Sequence, residues 1–134
     1  MAGAATGILE LPYNCDTAVV KNRFVKLTGD QSVSAIAAVT DIALGVARVD
    51  VSAAEILAPS AKGTDVQVLG VAWVEAAAAI TRGNFVGPSI NGRAQTCVAT
   101  QFPAGIALKA AANAGDWILV LLLPGARGTA QGTA

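Results

Sequence analysis

Phe85-Val86-Gly87-Pro88-Ser89-Ile90-Asn91-Gly92-Arg93-Ala94-Gln95-Thr96-Cys97-Val98 decides the fold class. From Arg93 onward polar and apolar residues alternate, less sharply than in Asp65-Val66-Gln67-Val68, with the period of a half-buried strand. Asn91-Gly92 stands between Ser89-Ile90 and Arg93-Ala94. Both central positions of a type I′ turn need positive φ, which Asn-Gly supplies at low steric cost, so a hairpin is expected here. Gly87-Pro88 interrupts the strand that starts at Phe85 and places it at an edge or a bulge, because proline cannot donate to a ladder.

The same rhythm extends outward. Asp65-Val66-Gln67-Val68 alternates, and Val19–Leu27 reads as a strand closed by Thr28-Gly29-Asp30. Trp117–Leu123 is an apolar run that stops at Pro124, far short of the roughly 20 residues needed to cross a bilayer, so it reads as a buried strand. Short segments punctuated at roughly 8–12 residues have the spacing of a sandwich or barrel. The expected fold class is all-β, with at most short helices. One helical exception is Ser52-Ala53-Ala54-Glu55, a capping box in which serine hydroxyl and glutamate carboxylate satisfy each other's backbone N–H groups. Pro59 closes that helix after two turns at most, and Glu75–Ala79 reads as a loop or a single turn. There is also an internal echo. Gly45-Val46-Ala47 precedes Gly63-Thr64-Asp65-Val66-Gln67-Val68-Leu69, and Gly105-Ile106-Ala107-Leu108 precedes Gly115-Asp116-Trp117-Ile118-Leu119-Val120-Leu121. Two copies of one β-unit are the structural reading.

Composition bounds the function. The 134 residues suggest one domain, and 54% are apolar while 13% are charged, against roughly 25% charged in an average domain. Alanine fills 29 positions, so the core is built from small side chains. Nine basic and nine acidic residues cancel, which removes the electrostatic footprint of a nucleic-acid binder. Histidine is absent, and with it the commonest general base, zinc ligand and partner of a nucleophile. Cys15 and Cys97 form no CxxC and are expected as two small buried thiols, although a single bridge between them stays open. Ser89 is no nucleophile elbow, since the closing glycine is missing. Gly125-Ala126-Arg127-Gly128 lacks the ending of a phosphate loop, and Asp30, Asp41 and Asp50 lack calcium-loop spacing. Met1–Gly7 has no basic stretch or long apolar core, so it is not a signal peptide. The expectation is a non-enzyme, made in the cytoplasm, with no catalytic, cofactor-binding or metal residues, no nucleic acid, no membrane and no small-molecule substrate.

The chain divides into an arm over residues 1–12, one β-rich domain over 13–123 and a flexible tail over 124–134. The arm carries Ile8-Leu9-Glu10-Leu11 ahead of Pro12. It either folds back on its own domain or adds a strand to a neighbour, where main-chain hydrogen bonds supply affinity. Its interface candidates are Thr6, Gly7, Ile8, Leu9, Glu10, Leu11 and Pro12. Lys21, Arg23 and Lys26 cluster around Phe24 and either meet an acidic partner or guard a strand edge. Trp73 is a further interface candidate, and Trp117, in the most apolar strand, is the core choice.

The run Lys21–Leu123 resembles the capsid-cement, or head-decoration, proteins of tailed bacteriophages. Gly45-Val46-Ala47, Ala79-Ile80-Thr81-Arg82-Gly83-Asn84-Phe85-Val86, the hairpin Asn91-Gly92-Arg93, Gly105-Ile106-Ala107-Leu108 and Ala114-Gly115-Asp116-Trp117-Ile118-Leu119-Val120-Leu121 carry the resemblance. Asn84 stands where the family usually has Asp, and Ser52–Pro59 reads as an insertion. The resemblance implies a small β-barrel or β-tulip domain that gathers as a homo-oligomer, a trimer, on the outer surface of the phage head. It also implies that the chain binds the major capsid protein and stabilises contacts between capsomers. An N-terminal arm reaching onto the shell recurs in such proteins, and Thr6–Pro12 matches it by location. Two other classes stay open. They are another small virion component, such as a minor capsid or head–tail joining protein, and a β-sandwich ligand-binding module, which would need exposed aromatics presented together.

Overall fold

A thirteen-residue strand, Gly63–Glu75, runs through the middle of the molecule and belongs to two sets of partners. It is β5 of nine strands, seen in a computed structural model that describes residues 6–57, 61–98 and 101–123. The tail over 124–134 and the helix-closing Pro59 lie outside the described residues. The other strands are β1 (Thr6–Cys15), β2 (Phe24–Gly29), β3 (Ser32–Ala35), β4 (Gly45–Ala47), β6 (Phe85–Pro88), β7 (Ala94–Thr96), β8 (Gly105–Ala107) and β9 (Trp117–Leu122). The fold is mostly β with one short helix, α1 (Ala53–Leu57), as expected.

Five strands close a barrel: β1 pairs in parallel with β3, β3 with β2, β2 with β4, β4 with β5, and β5 returns to β1. Closure removes exposed edges, and the alternating inward side chains fill the interior. Those inward residues are Cys15, Val19, Val25, Val33, Ala47, Val51, Val66 and Val68, with Leu11 and Tyr13 packed against them.

The second half of the chain repeats this arrangement strand for strand. Phe24↔Val46↔Gln67 across β2, β4 and β5 has its counterpart in Phe85↔Ile106↔Leu121 across β6, β8 and β9. Glu10↔Gln67 through Asn14↔Gly63 corresponds to Val71↔Leu121 through Glu75↔Trp117, so the end of β5 serves the second set as β1 serves the first. The parallel Cys15↔Val33 pair returns as the bridge Ala76↔Ala94, and Val19↔Val51 returns as Ile80↔Ala111. Even the left-handed turn residue recurs: Asn22 (φ 63°) donates to the carbonyl of Ala47, and Gly83 (φ 92°) to that of Ala107. Helix α1 is an insertion of the first unit, between Val51 and Gly63. Its capping box forms as expected, with Ser52 N donating to Glu55 Oε1 at 3.0 Å and Glu55 N to Ser52 Oγ at 3.2 Å. The internal echo in the sequence is therefore a structural repeat.

Glycines at equivalent positions let neighbouring backbones touch. A Cβ on Gly45 would lie 2.2 Å from the carbonyl oxygen of Gln67, and one on Gly105 would lie 2.3 Å from that of Leu121.

Four expectations need correction. Strand β1 runs through Pro12, so no boundary separates an arm from the domain there; residues 6–14 pair with β5 of the same chain. The strand expected from Val19 begins only at Phe24, because residues 21–23 make the turn that Asn22 governs. The Asn91-Gly92 hairpin exists, but Gly92 alone has positive φ (81°), and Gly92 N donates to Ser89 O at 2.9 Å. This is a three-residue loop with the glycine in the bulge position, not a type I′ turn. Finally, Trp117 is not core. Ile118, Val120 and Leu122 point inward from β9, so alternation turns Trp117 out, and it is 45% exposed.

We expect Gly45→Ala and Gly105→Ala each to destabilise the fold by about 1–3 kcal/mol through overpacking, measured by urea unfolding. The contrast on β9 should be large. Ile118→Ala should cost about 2–5 kcal/mol as a core truncation, and Trp117→Ala about 1 kcal/mol or less.

Candidate interaction surface

The outer face of the second unit is apolar across four strands. One row runs directly cross-strand: Val71 on β5, Leu121 on β9, Ile106 on β8 and Phe85 on β6. Beside it lie Trp73, which pairs with the buried Leu119, then Leu108, whose N–H donates to Leu119 O at 2.7 Å, then Trp117. Phe85 is 42% exposed, Leu121 37% and Leu108 43%. Trp73 and Trp117 share an open groove with Asn22 and Lys109, of about 440 Å³, and Lys109 Nζ sits 5.4 Å from the centre of the Trp73 ring. That distance allows a cation–π contact. Sequence reasoning kept Trp73 as a candidate and missed its partners. Strict alternation along β9 could have placed Trp117 and Leu121 together on the outer face.

The corresponding face of the first unit is covered. Phe24 is 1% exposed, Val46 0% and Gln67 1%. Phe24, Ile36, Ala43 and Val46 pack in one cluster with Ala72, Val74, Ala94 and Val120 of the second unit. Backbone bonds fasten this joint: Phe24 N donates to Gly92 O at 2.7 Å, and Glu75 N to Asn22 O at 3.1 Å. Glu75 then takes Arg23 on one carboxylate oxygen at 3.2 Å and Arg93 on the other at 3.3 Å. Arg93 Nε is buried without a hydrogen-bond partner among the described residues.

The other candidates separate. Arg23 is committed to Glu75, Lys26 bonds Asp41 at 3.1 Å, and exposed Lys21 gives its backbone N–H to Asp50 Oδ1 at 2.7 Å. The basic cluster is thus largely neutralised within the chain. Of the arm residues, Leu9, Glu10 and Pro12 are exposed and Leu11 is half-buried against the first core, with Glu10 bonded to Arg48 at 3.3 Å. Thr6, Gly7 and Ile8 belong to β1.

Asp41 organises a turn, accepting Ala37 N and Ala38 N, each at 2.9 Å. Burial pushes its carboxyl up, but those N–H donors and Lys26 outweigh it and hold the group below its ordinary value. Both cysteines are free. Burial raises the Cys15 thiol and pushes Cys97 up to about 11. Pro88 fits a paired strand because the β8 pairs stop at Val86, and its carbonyl accepts Gln101 Nε2 at 2.7 Å.

No family model matches the chain, and no curated protein matches its sequence. Among solved structures it is similar to the N base of the head fiber gp8.5 of bacteriophage phi29. The TM-score is 0.63 at 21% identity, covering 87% of this chain and 94% of that one. The likeness is one of fold, and it spans both units.

Because the folded Asp41 carboxyl is the stronger acid, its stabilising contribution is fully present above the ordinary carboxylate range and is lost as pH falls below that range through the lowered folded value. Asp41→Ala should cost about 1–2 kcal/mol at pH 7, and the difference from the parent should shrink as pH falls below about 4. Thermal melts of both proteins across that range check this.

Proposed function

We propose that the chain is a structural protein of a phage virion, made in the host cytoplasm, that decorates the outer surface of the head. It binds the major capsid protein as a homo-oligomer, a trimer, and stabilises contacts between capsomers. The observation that carries this reading is the fold shared with the head-fiber base over nearly the whole of both chains. A charge-poor surface with a broad apolar face suits a protein that works by contact. Many such contacts over a shell add up through avidity, and a protein that binds only the assembled shell shifts the equilibrium against disassembly.

The test is co-sedimentation of the purified chain with heads of its own phage that lack it. We expect saturable binding and a shell that resists heat or chelator better than the bare one. Binding without any gain in shell resistance would leave a decoration protein that is no cement. Failure to bind would overturn the reading.

A further inference from the structure

A ligand-binding module needs exposed aromatics presented together, and one place in the molecule meets that requirement. Both tryptophans of the chain line a single groove, with Asn22 and Lys109 beside them. Trp73 pairs with Leu119 and Trp117 with Glu75, so the indoles stand diagonally on neighbouring strands. Alternation with the buried Val74 and Ile118 turns both outward. The repeat provides a comparison. Pro12, Gly63 and Val49 hold the positions equivalent to Trp73, Trp117 and Lys109, so the strand register requires neither rings nor a cation there. Asn22 is fixed from both sides, its N–H donating to Ala47 O at 2.8 Å and its carbonyl accepting Glu75 N at 3.1 Å. Its φ of 63° is the only left-handed value outside glycine among the described residues, and the equivalent turn uses Gly83. The Asn22 carboxamide makes no hydrogen bond among the described residues, so this turn carries a donor and an acceptor that its folding does not use.

We propose that this groove binds an acidic sugar, a pyranose that carries an anionic group. Its volume of about 440 Å³ and its make-up, aromatic walls with a few convergent polar groups, are those of a small-ligand site. Trp117, 45% exposed, offers an indole face to the C–H face of the sugar ring. The Asn22 carboxamide bonds a ring hydroxyl as both donor and acceptor. Lys109 meets the charge: it makes no ion pair among the described residues, and its ammonium rests 5.4 Å from the centre of the Trp73 ring. The surroundings favour an anion as well. Arg23, next to Asn22, and Arg93 share the one carboxylate of Glu75, and the Asp116 carboxylate, beside Trp117, accepts Ala112 N and Asn113 N. With Lys109 these are three cations against two carboxylates, a net positive setting that an acidic sugar complements. The site goes beyond the decoration reading and does not depend on it.

Because both tryptophans lie in the groove, the intrinsic fluorescence of the full chain reports on this site alone. Titration with trigalacturonate and with a hyaluronan tetrasaccharide should change the emission saturably, with a Kd of about 1 mM or tighter for at least one of them. Maltotriose, a neutral comparator, should bind about tenfold more weakly or not at all. Isothermal calorimetry then follows the variants, with circular dichroism to confirm folding. Trp117→Ala, Lys109→Gln and Asn22→Gly should each weaken binding about fivefold or more. Asn22→Gly leaves the turn intact, since glycine holds the equivalent turn of the second unit. Leu57→Gln, on the exposed end of α1, should leave the affinity unchanged. The proposal is overturned by no saturable change with either acidic probe, by maltotriose binding as tightly as they do, or by parent affinity in Lys109→Gln and Asn22→Gly.

Discussion

A single strand bears the architecture. Residues 63–69 of β5 complete the barrel, residues 71–75 begin the second set of strands, and between them Gly70 (φ 100°) lets the chain change course. That conformation is costly for any residue with a Cβ. A kink in a paired strand also turns carbonyls away from the ladder. The Gln67 side chain meets this demand, its amide donating to Leu69 O at 3.2 Å and Val71 O at 3.0 Å. Gln67 is fully buried, so these bonds satisfy groups that water cannot reach. Its counterpart in the second unit is Leu121, where no described strand continues and no kink needs a donor.

The two units differ where they meet. In the first, Asn14 N bonds Gln31 O; in the second, the equivalent Glu75 N and Gly92 O instead hold Asn22 O and Phe24 N. Core volumes follow the same logic. Leu11, Cys15, Val33 and Val51 of the first interior correspond to Ala72, Ala76, Ala94 and Ala111 of the second. The second interior surrenders side-chain volume, and Phe24, Ile36 and Val46 of the first unit join its packed cluster. Close packing then makes the units one body, because the second core is not complete without that joint.

How much of this the sequence disclosed depends on the range of each interaction. The capping box was legible because Ser52 and Glu55 satisfy each other three residues apart. The echo of Gly45 and Gly105 was legible because both press against a partner strand that rejects a Cβ. Asn91-Gly92 signalled a hairpin and gave the wrong loop, since Gly92 answers to the Phe24 carbonyl of another unit, 2.5 Å from where its Cβ would lie. The arm reading left open whether Ile8-Leu9-Glu10-Leu11 folds back or reaches a neighbour; it folds back and closes a barrel, a pairing with β5 more than fifty residues away that local sequence does not fix. Trp117 misled for a different reason. Hydrophobicity argues for burial only when something covers the face, and nothing among the described residues covers Trp117, which is 45% exposed.

The surface then follows from the duplication. A repeat with identical strand register presents the same face twice, and among the described residues only the first is covered. Evolution can make the terminal face polar, as capping repeats do, or keep it apolar. Here Trp117, Leu121, Leu108 and Phe85 are apolar and solvent-facing in a chain with few charges. An apolar face this broad on a lone protein is an aggregation liability, whereas in an assembly it supplies the core of a contact.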